Sequence, residues 1–149
     1  MTDYIANINT YKIGGDNFDG QWVLSSIILA QNATYSATSK VLYELYSYLP
    51  NDNFVYLVAF SGWGRTLSGS GSCTIRVMSG SPSYDDIEKY GCRMMTTEYH
   101  STSSYTCSGN LILPIYPTSR YVSLANTAST ATGNCGFYAT GYRRLGTNE

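Results

Sequence analysis

The stretch FVYLVAFS, residues 54–61, decides the fold that the sequence predicts. It is apolar at every position from Val55 to Phe60, so an extended chain here would be apolar on both of its faces. A strand with two apolar faces is typical of the middle of a sheet that is covered on both sides. We therefore predict a central β-strand at residues 54–61.

Shorter runs of the same kind occur on both sides of this strand. Between Lys40 and Leu49 the apolar spacing fits one face of a helix as well as an alternating strand, and we favour the strand. The polar insert from Ser79 to Tyr90 has room for a short helical turn. Further strands are predicted at Gln21–Gln31, Cys73–Met78, Gly91–Thr97, Leu111–Ile115, Ser119–Leu124 and Gly136–Arg143. Many short strands separated by turn signals predict an all-β chain, an antiparallel β-sandwich or jelly-roll-like domain.

An extended arm precedes this domain. Residues 1–15 alternate loosely between apolar and polar residues and end at a Gly-Gly turn, so we predict an N-terminal arm at 1–15 and a β-sandwich domain at 16–149. An arm cannot bury its own apolar side chains, and it gains more by adding to a sheet edge or by threading into a partner. The alternative is that it forms the first strand of the domain. The candidate contact residues are Tyr4, Ile5, Ile8, Tyr11 and Ile13.

The composition favours a surface that binds over one that catalyses. The chain has 15 Tyr but one His, and charged residues make up 13%, about half the usual share. The net charge of −1 gives no basic field for nucleic acid or for a membrane surface, and no apolar run is long enough to span a membrane. The first residues lack the regions of a secretory signal, so we expect synthesis in a cytoplasm. There, reduced and buried thiols are favoured over disulfides for Cys73, Cys92, Cys107 and Cys135.

Groups for catalysis are sparse. His100 is the only imidazole and lies in a loop rich in Ser and Thr. Asp85, Asp86 and Glu88 cluster as the carboxylates of a glycosidase might, but neighbouring acids in a polar insert more often start a helix. Arg143 and Arg144, at the end of the last strand, could meet an anionic group, but two charges at a strand end are more typical of plain surface. We expect no enzyme, no metal and no cofactor, with a hydrolase that uses the acidic cluster as a remote alternative.

Three stretches carry a resemblance to a known family: residues 7–22, which end in FDGQW, YLPNDNF at 48–54, and YRRLGTN at 142–148. Together they resemble the small virion fibre proteins of tailed bacteriophages, especially those of crAss-like and related gut phages. In those proteins a short arm precedes a compact β domain rich in Tyr, Thr and Ser, which ends in a similar Arg-Arg-Leu/Ile-Gly-Thr-Asn tail. The run LILPI, residues 111–115, also falls where such proteins carry a similar strand.

The resemblance implies a non-enzymatic, homotrimeric virion protein of the head or the tail. Its arm would intertwine with, or anchor to, other virion proteins such as the capsid or a fibre anchor, and its β domain would face the environment. A fibre that touches a cell surface recognises glycan or protein through aromatic and hydroxyl-rich segments. The candidates for those contacts are Trp63, Arg65, Tyr84, Tyr99, His100 and Tyr105. The alternative is a soluble, lectin-like carbohydrate-binding module outside any virion.

Light scattering on the full chain and on a chain that begins at Asp16 tests the arm. We expect the full chain to be a trimer and the shortened chain to stay folded but fail to assemble, because the arm supplies contacts between copies. If the shortened chain unfolds, the arm is the first strand of the domain. If both chains are stable monomers, the trimer is wrong.

Overall fold

The structure is a computed structural model that describes residues 21–36, 38–68, 72–100, 103–104, 106–127 and 132–147. The predicted arm, with Tyr4, Ile5, Ile8, Tyr11 and Ile13, lies outside these residues. The described chain forms nine strands and one helix: β1 Trp22–Tyr35, β2 Lys40–Glu44, β3 Phe54–Ser68, β4 Ser72–Ser79, α1 Tyr84–Tyr90, β5 Cys92–His100, β6 Ser103–Ser104, β7 Thr106–Ile115, β8 Tyr121–Asn126 and β9 Thr132–Thr147.

The strands form two antiparallel sheets. One sheet has four strands in the order β1-β9-β3-β7, and the other has five in the order β2-β8-β4-β5-β6. All the strand pairs between described elements are antiparallel. The prediction of an all-β, antiparallel β-sandwich is confirmed.

Strand β3 is central, as predicted, and it is longer than the sequence indicated. It pairs with β9 from Phe54 opposite Thr147 to Ser68 opposite Thr132, and with β7 on its other side. Val58 is fully buried, whereas its neighbours Leu57 and Ala59, on the opposite face, are only half-buried. The sequence predicted that both faces of β3 are buried, but only the face that points to the core is fully buried.

The core lies between the sheets and is centred on two rings. Phe60 of β3 and Phe137 of β9 stack with ring centroids 5.2 Å apart, and both are almost completely buried. Tyr43 of β2 meets Phe137 from the opposite sheet at 5.9 Å. Offset or tilted ring pairs at such distances add to the hydrophobic stabilisation of the area they bury.

The ambiguous segment from Lys40 to Leu49 divides into two structures. Lys40–Glu44 is strand β2, which confirms the favoured prediction for this half. After it the chain turns: the Leu49 N–H donates to the Leu45 carbonyl at 3.0 Å, as in one turn of a helix, and both leucines are buried in the core. The helical spacing in the sequence thus came from a single turn that ends before Pro50.

The acidic insert contains the predicted helical turn, α1. The Ser83 hydroxyl caps its N-terminus by accepting the Asp86 N–H at 3.2 Å, and Asp85 and Asp86 occupy its first turn. Negative charge is favourable there because it opposes the positive end of the helix dipole. Ile87 is the buried residue of this helix, which packs against β4 and β8.

A partly buried ion pair connects the turn before β3 to the turn before β8. Arg120 is 3% exposed, lies 3.4 Å from the Asp52 carboxylate and donates to the Ile115 carbonyl at 3.1 Å. The Tyr56 hydroxyl donates to the same carboxylate at 2.6 Å. Burial, together with this hydrogen bond, raises the pKa of Tyr56 above its usual value. The run YLPNDNF thus contributes Asp52 to a structural network.

The cysteines that the structure describes are not alike in their surroundings. Cys92 is a free, exposed thiol, whereas Cys135 is buried among core side chains. The side chains of Cys73 and Cys107 lie outside the described part of the chain.

The Phe60–Phe137 stack predicts a large effect of one truncation. Phe137→Ala should lower the free energy of unfolding by about 3–5 kcal/mol, because it leaves a cavity between the sheets. Chemical denaturation measures this change, with Tyr90→Ala as a control at an aromatic that is 66% exposed. A loss of less than about 1 kcal/mol for Phe137→Ala would contradict the assignment of the core centre.

Candidate functional site

The candidate site is the outer face of the four-stranded sheet, defined as the strand positions that point away from the core. The register of the ladders arranges these positions in rows that cross the sheet. Four rows concern the site: Arg65–Asn134–Thr34, Ser108–Trp63–Gly136, Asn110–Ser61–Tyr138–Ile28, and Pro114–Leu57–Arg143–Trp22.

An aromatic pair forms the middle of this face. The Trp63 indole N–H donates to the Tyr138 hydroxyl at 3.0 Å, and both side chains are half-buried. Gly136 lies between them: a Cβ there would overlap the Trp63 Nε1 and would lie 2.5 Å from the Tyr138 hydroxyl oxygen. The absence of a side chain at Gly136 therefore leaves the space in which the Trp63 indole and the Tyr138 hydroxyl meet.

Two polar atoms beside this pair have no hydrogen-bond partner among the residues that the structure describes. Asn134 is 4% exposed and its Nδ2 donates to the Ala33 carbonyl at 3.1 Å, but its Oδ1 has no partner within the described chain. Arg65 lies directly opposite Asn134, and its buried Nε likewise has no partner there. A buried polar atom without a hydrogen bond costs about 1–3 kcal/mol, so these two atoms are destabilising as they stand.

The other end of the face carries a second arginine. The structure separates Arg143 and Arg144, because successive residues of a strand point to opposite faces. The Arg144 guanidinium lies over the Phe54 ring at 4.2 Å, whereas Arg143 lies in the row of Leu57 and Trp22, and its buried Nε has no partner in the described chain. Arg143 is therefore on the outer face, whereas Arg144 is not.

Between the arginines the face is largely apolar and open. Leu24, Ile28 and Ile112 are 86%, 58% and 55% exposed. A shallow hollow of about 530 Å³ lies beside Ile112, with Asn110 and Thr140 in its wall. This part of the face offers apolar surface and neutral polar groups to a ligand or to another protein.

The outer face has one sign of charge. Its described positions include Arg65 and Arg143 and no Asp or Glu. The acids with described side chains lie elsewhere: Glu44 is on β2, Asp52 is in the turn before β3, and three acids are on α1. A chain with a net charge of −1 thus presents one face whose ionised groups are positive.

Two of the predicted contact residues come together and one does not. Trp63 and Arg65 share the outer face, within strand β3 and not in a loop after it. Tyr84 lies at the start of α1, which packs against β4 and β8 of the other sheet, and its hydroxyl donates to the Asn126 carbonyl at 3.4 Å. Burial raises the pKa of Tyr84, and Glu88 and Asp85 raise it further. Tyr84 is therefore removed from the Trp63 site.

The other three predicted contact residues are Tyr99, His100 and Tyr105. The predicted loop around His100 is a hairpin, with Tyr99 paired to Ser104 and His100 to Ser103, but the side chains of Tyr99 and His100 lie outside the description. Tyr105 lies outside it altogether. Sequence reasoning missed Tyr138, Gly136 and Asn134, because only the β3–β9 register shows that they lie beside Trp63 and Arg65.

A second hollow, of about 380 Å³, opens between the sheets. Its rim includes Tyr90 and Tyr116, which are 66% and 44% exposed, and Val77 and Leu113 lie in its wall. No charged side chain of the described chain lines it. The Ser79 hydroxyl in this hollow already donates to the Pro114 carbonyl at 2.6 Å. It is therefore a less polar and less specific candidate than the outer face.

The described residues contain no group of three His, Cys, Asp or Glu side chains that could hold a metal ion. Within the same residues, no helix has the length and apolar character needed to cross a membrane.

Comparison with known proteins returns no matching family model and no matching curated protein. Among solved structures, the chain is similar to the CBM22-1 xylan-binding domain of Paenibacillus barcinonensis Xyn10C, with a TM-score of 0.41, 12% identity, and coverage of 85% of this chain and 86% of that one. It is also similar to VP2 of infectious bursal disease virus in a subviral particle, with a TM-score of 0.39, 11% identity, and coverage of 93% and 38%. A structure of the Gx strain of that virus gives a TM-score of 0.31, 13% identity, and coverage of 93% and 42%.

Gly136→Ala tests the geometry of the aromatic pair. The added methyl group should push the Trp63 ring away from Tyr138 and change the Trp63 fluorescence, measured with Trp22→Phe in the background so that one indole reports. Because the atoms that must move belong to side chains on the outer face, we expect a loss of stability of only about 1 kcal/mol.

Gly141→Ala is the matched control for this change. It is the same substitution in the same strand, and its Cβ would meet the Val23 carbonyl oxygen at 3.0 Å and not Trp63. Equal fluorescence changes in the two variants would contradict the described packing of Trp63 on Gly136.

Proposed function

We propose that this chain is a non-enzymatic fibre protein of a tailed-bacteriophage virion, on the head or the tail, which binds glycan of the host surface through the outer face of its four-stranded sheet. The observation that carries the proposal is the hydrogen-bonded Trp63–Tyr138 pair, which lies over Gly136 beside Arg65 and Asn134. Aromatic rings with a polar tip suit ligands that are apolar on one face and hydroxylated at their rim.

A sugar ring would lie against the Trp63 and Tyr138 side chains. Its hydroxyls would meet the polar groups on either side of the pair, among them Ser61 and Asn110, which lie in the row of Tyr138. Ligand sites commonly combine apolar surface with a few placed polar groups, and water bridges complete the contacts. This arrangement needs no acid, base or metal, which agrees with a binding role.

The virion context rests on the sequence resemblance. Two of its motifs lie in the described domain: YLPNDNF forms the turn into β3 and supplies Asp52, and YRRLGTN includes the end of β9. The trimer rests on the same resemblance. Other virion proteins, such as the capsid or an anchor, would hold the arm.

A lectin-like module outside any virion is the second candidate, since the same aromatic pair would serve it. The two differ in assembly: a module of this kind would remain folded as a monomer or dimer on dilution, whereas obligate trimers often have no stable folded monomer.

An array of bacterial surface glycans probed with the labelled full chain tests the binding function. Trp63→Ala and Tyr138→Ala should each weaken binding at least tenfold, because truncating an aromatic at the centre of a contact typically costs about 2 kcal/mol or more. Circular dichroism confirms that the variants are folded.

Tyr90→Ala is the matched control, since it removes an exposed aromatic at the second hollow. It should leave binding unchanged. If Tyr90→Ala abolishes binding and Trp63→Ala does not, the site is the hollow between the sheets. If no glycan binds, the recognition function is wrong.

A further inference from the structure

We infer that the ligand of the outer face is an acidic polysaccharide, a chain of sugars that carry carboxylates, read by Arg65 and Arg143. This inference rests on the proposed glycan-binding function and adds the chemical class of the ligand.

The charge of the outer face indicates an anionic ligand. Arg65 and Arg143 are its ionised groups among the described positions, and no carboxylate lies with them on that face. Arg120 has Asp52 and the Ile115 carbonyl as its partners, whereas the Nε atoms of Arg65 and Arg143 have none within the described chain. Guanidinium groups match the planar geometry of a carboxylate and form strong, charge-assisted hydrogen bonds with it.

Two buried atoms of the face, one donor and one acceptor, have no hydrogen-bond partner within the described chain. The buried Nε of Arg65 requires an acceptor, and the buried Oδ1 of Asn134, directly across the ladder, requires a donor. Inorganic phosphate matches this pair of atoms less well, because at neutral pH it mainly accepts hydrogen bonds. A sugar acid carries both kinds of group, since its carboxylate accepts and its hydroxyls donate. Asn134 is 4% exposed and both atoms are buried, so a ligand reaches them only when the two side chains turn toward it.

The distance between Arg65 and Arg143 indicates that the ligand is a polymer. Arg65 is itself on β3, and Arg143 is paired with Leu57, eight positions earlier on that strand. At the rise of a strand this separation is roughly 26 Å. The Trp63–Tyr138 pair and the hollow beside Ile112 lie between the two arginines. A single sugar cannot reach both, whereas a polymer along β3 can contact both charges and the rings between them.

The test measures affinity of the full chain for polygalacturonate, alginate and hyaluronan, each beside its carboxyl-reduced form. We expect at least one acidic polymer to bind and its reduced form to bind at least tenfold more weakly. The affinity for the acidic polymer should also fall as salt rises from about 0.05 to 0.5 M, because salt screens the attraction between the arginines and the carboxylates. Arg65→Gln and Arg143→Gln should each weaken binding of the acidic polymer more than binding of its reduced form.

Arg93→Gln is the control, because Arg93 is an exposed arginine on β5 of the other sheet. It should have no effect. If acidic and reduced polymers bind equally and only Trp63→Ala weakens them, the charge inference is overturned and the proposed glycan function stands. If none of the acidic polymers binds, the inference is overturned, and the bacterial glycan array decides the broader function separately. Tighter binding of a single-stranded oligo(dT) would assign the face to nucleic acid and would also overturn it.

Discussion

The pairing of β3 with β9 is the constraint on which the rest of this structure depends. The two strands run antiparallel from Phe54 opposite Thr147 to Ser68 opposite Thr132. Because side chains alternate along a strand, this one ladder sets two aromatic contacts on opposite faces. Phe60 and Phe137 meet inside and Trp63 and Tyr138 meet outside. A slip of one residue would exchange the faces, so the packing of the core also fixes the geometry of the candidate site.

Much of the fold could be predicted from local sequence, because its strands are apolar and separated by turns. The run at residues 54–61 gave the central strand, and the acidic insert gave its short helix. The end of β3 was missed, since Gly62 and Gly64 weaken a strand signal that pairing with β7 and β9 overrides. The segment from Lys40 to Leu49 was ambiguous because it contains both structures, a strand up to Glu44 and one helical turn from Leu45 to Leu49.

The site was predicted only in part, for a topological reason. Trp63 and Arg65 are close in sequence, so composition and spacing could single them out. Tyr138 and Asn134 join them across a ladder whose register no local pattern contains. Tyr84 was placed with them because it is aromatic and lies in a polar insert, but its insert folds against the other sheet. The charge of the face could not be predicted either, since it requires knowing which strand positions point outward.

The most direct test of the account is a ¹H–¹⁵N titration of the chain with an acidic oligosaccharide, observed at the two tryptophan indole N–H resonances. Trp63 donates its indole N–H to Tyr138 in the middle of the proposed site, whereas Trp22 lies at its margin in the row of Arg143. The account predicts a saturable shift of the Trp63 indole, abolished by Arg65→Gln, with backbone shifts confined to the outer face. Shifts confined to Tyr90, Tyr116 and their neighbours, with the Trp63 indole unmoved, would contradict it.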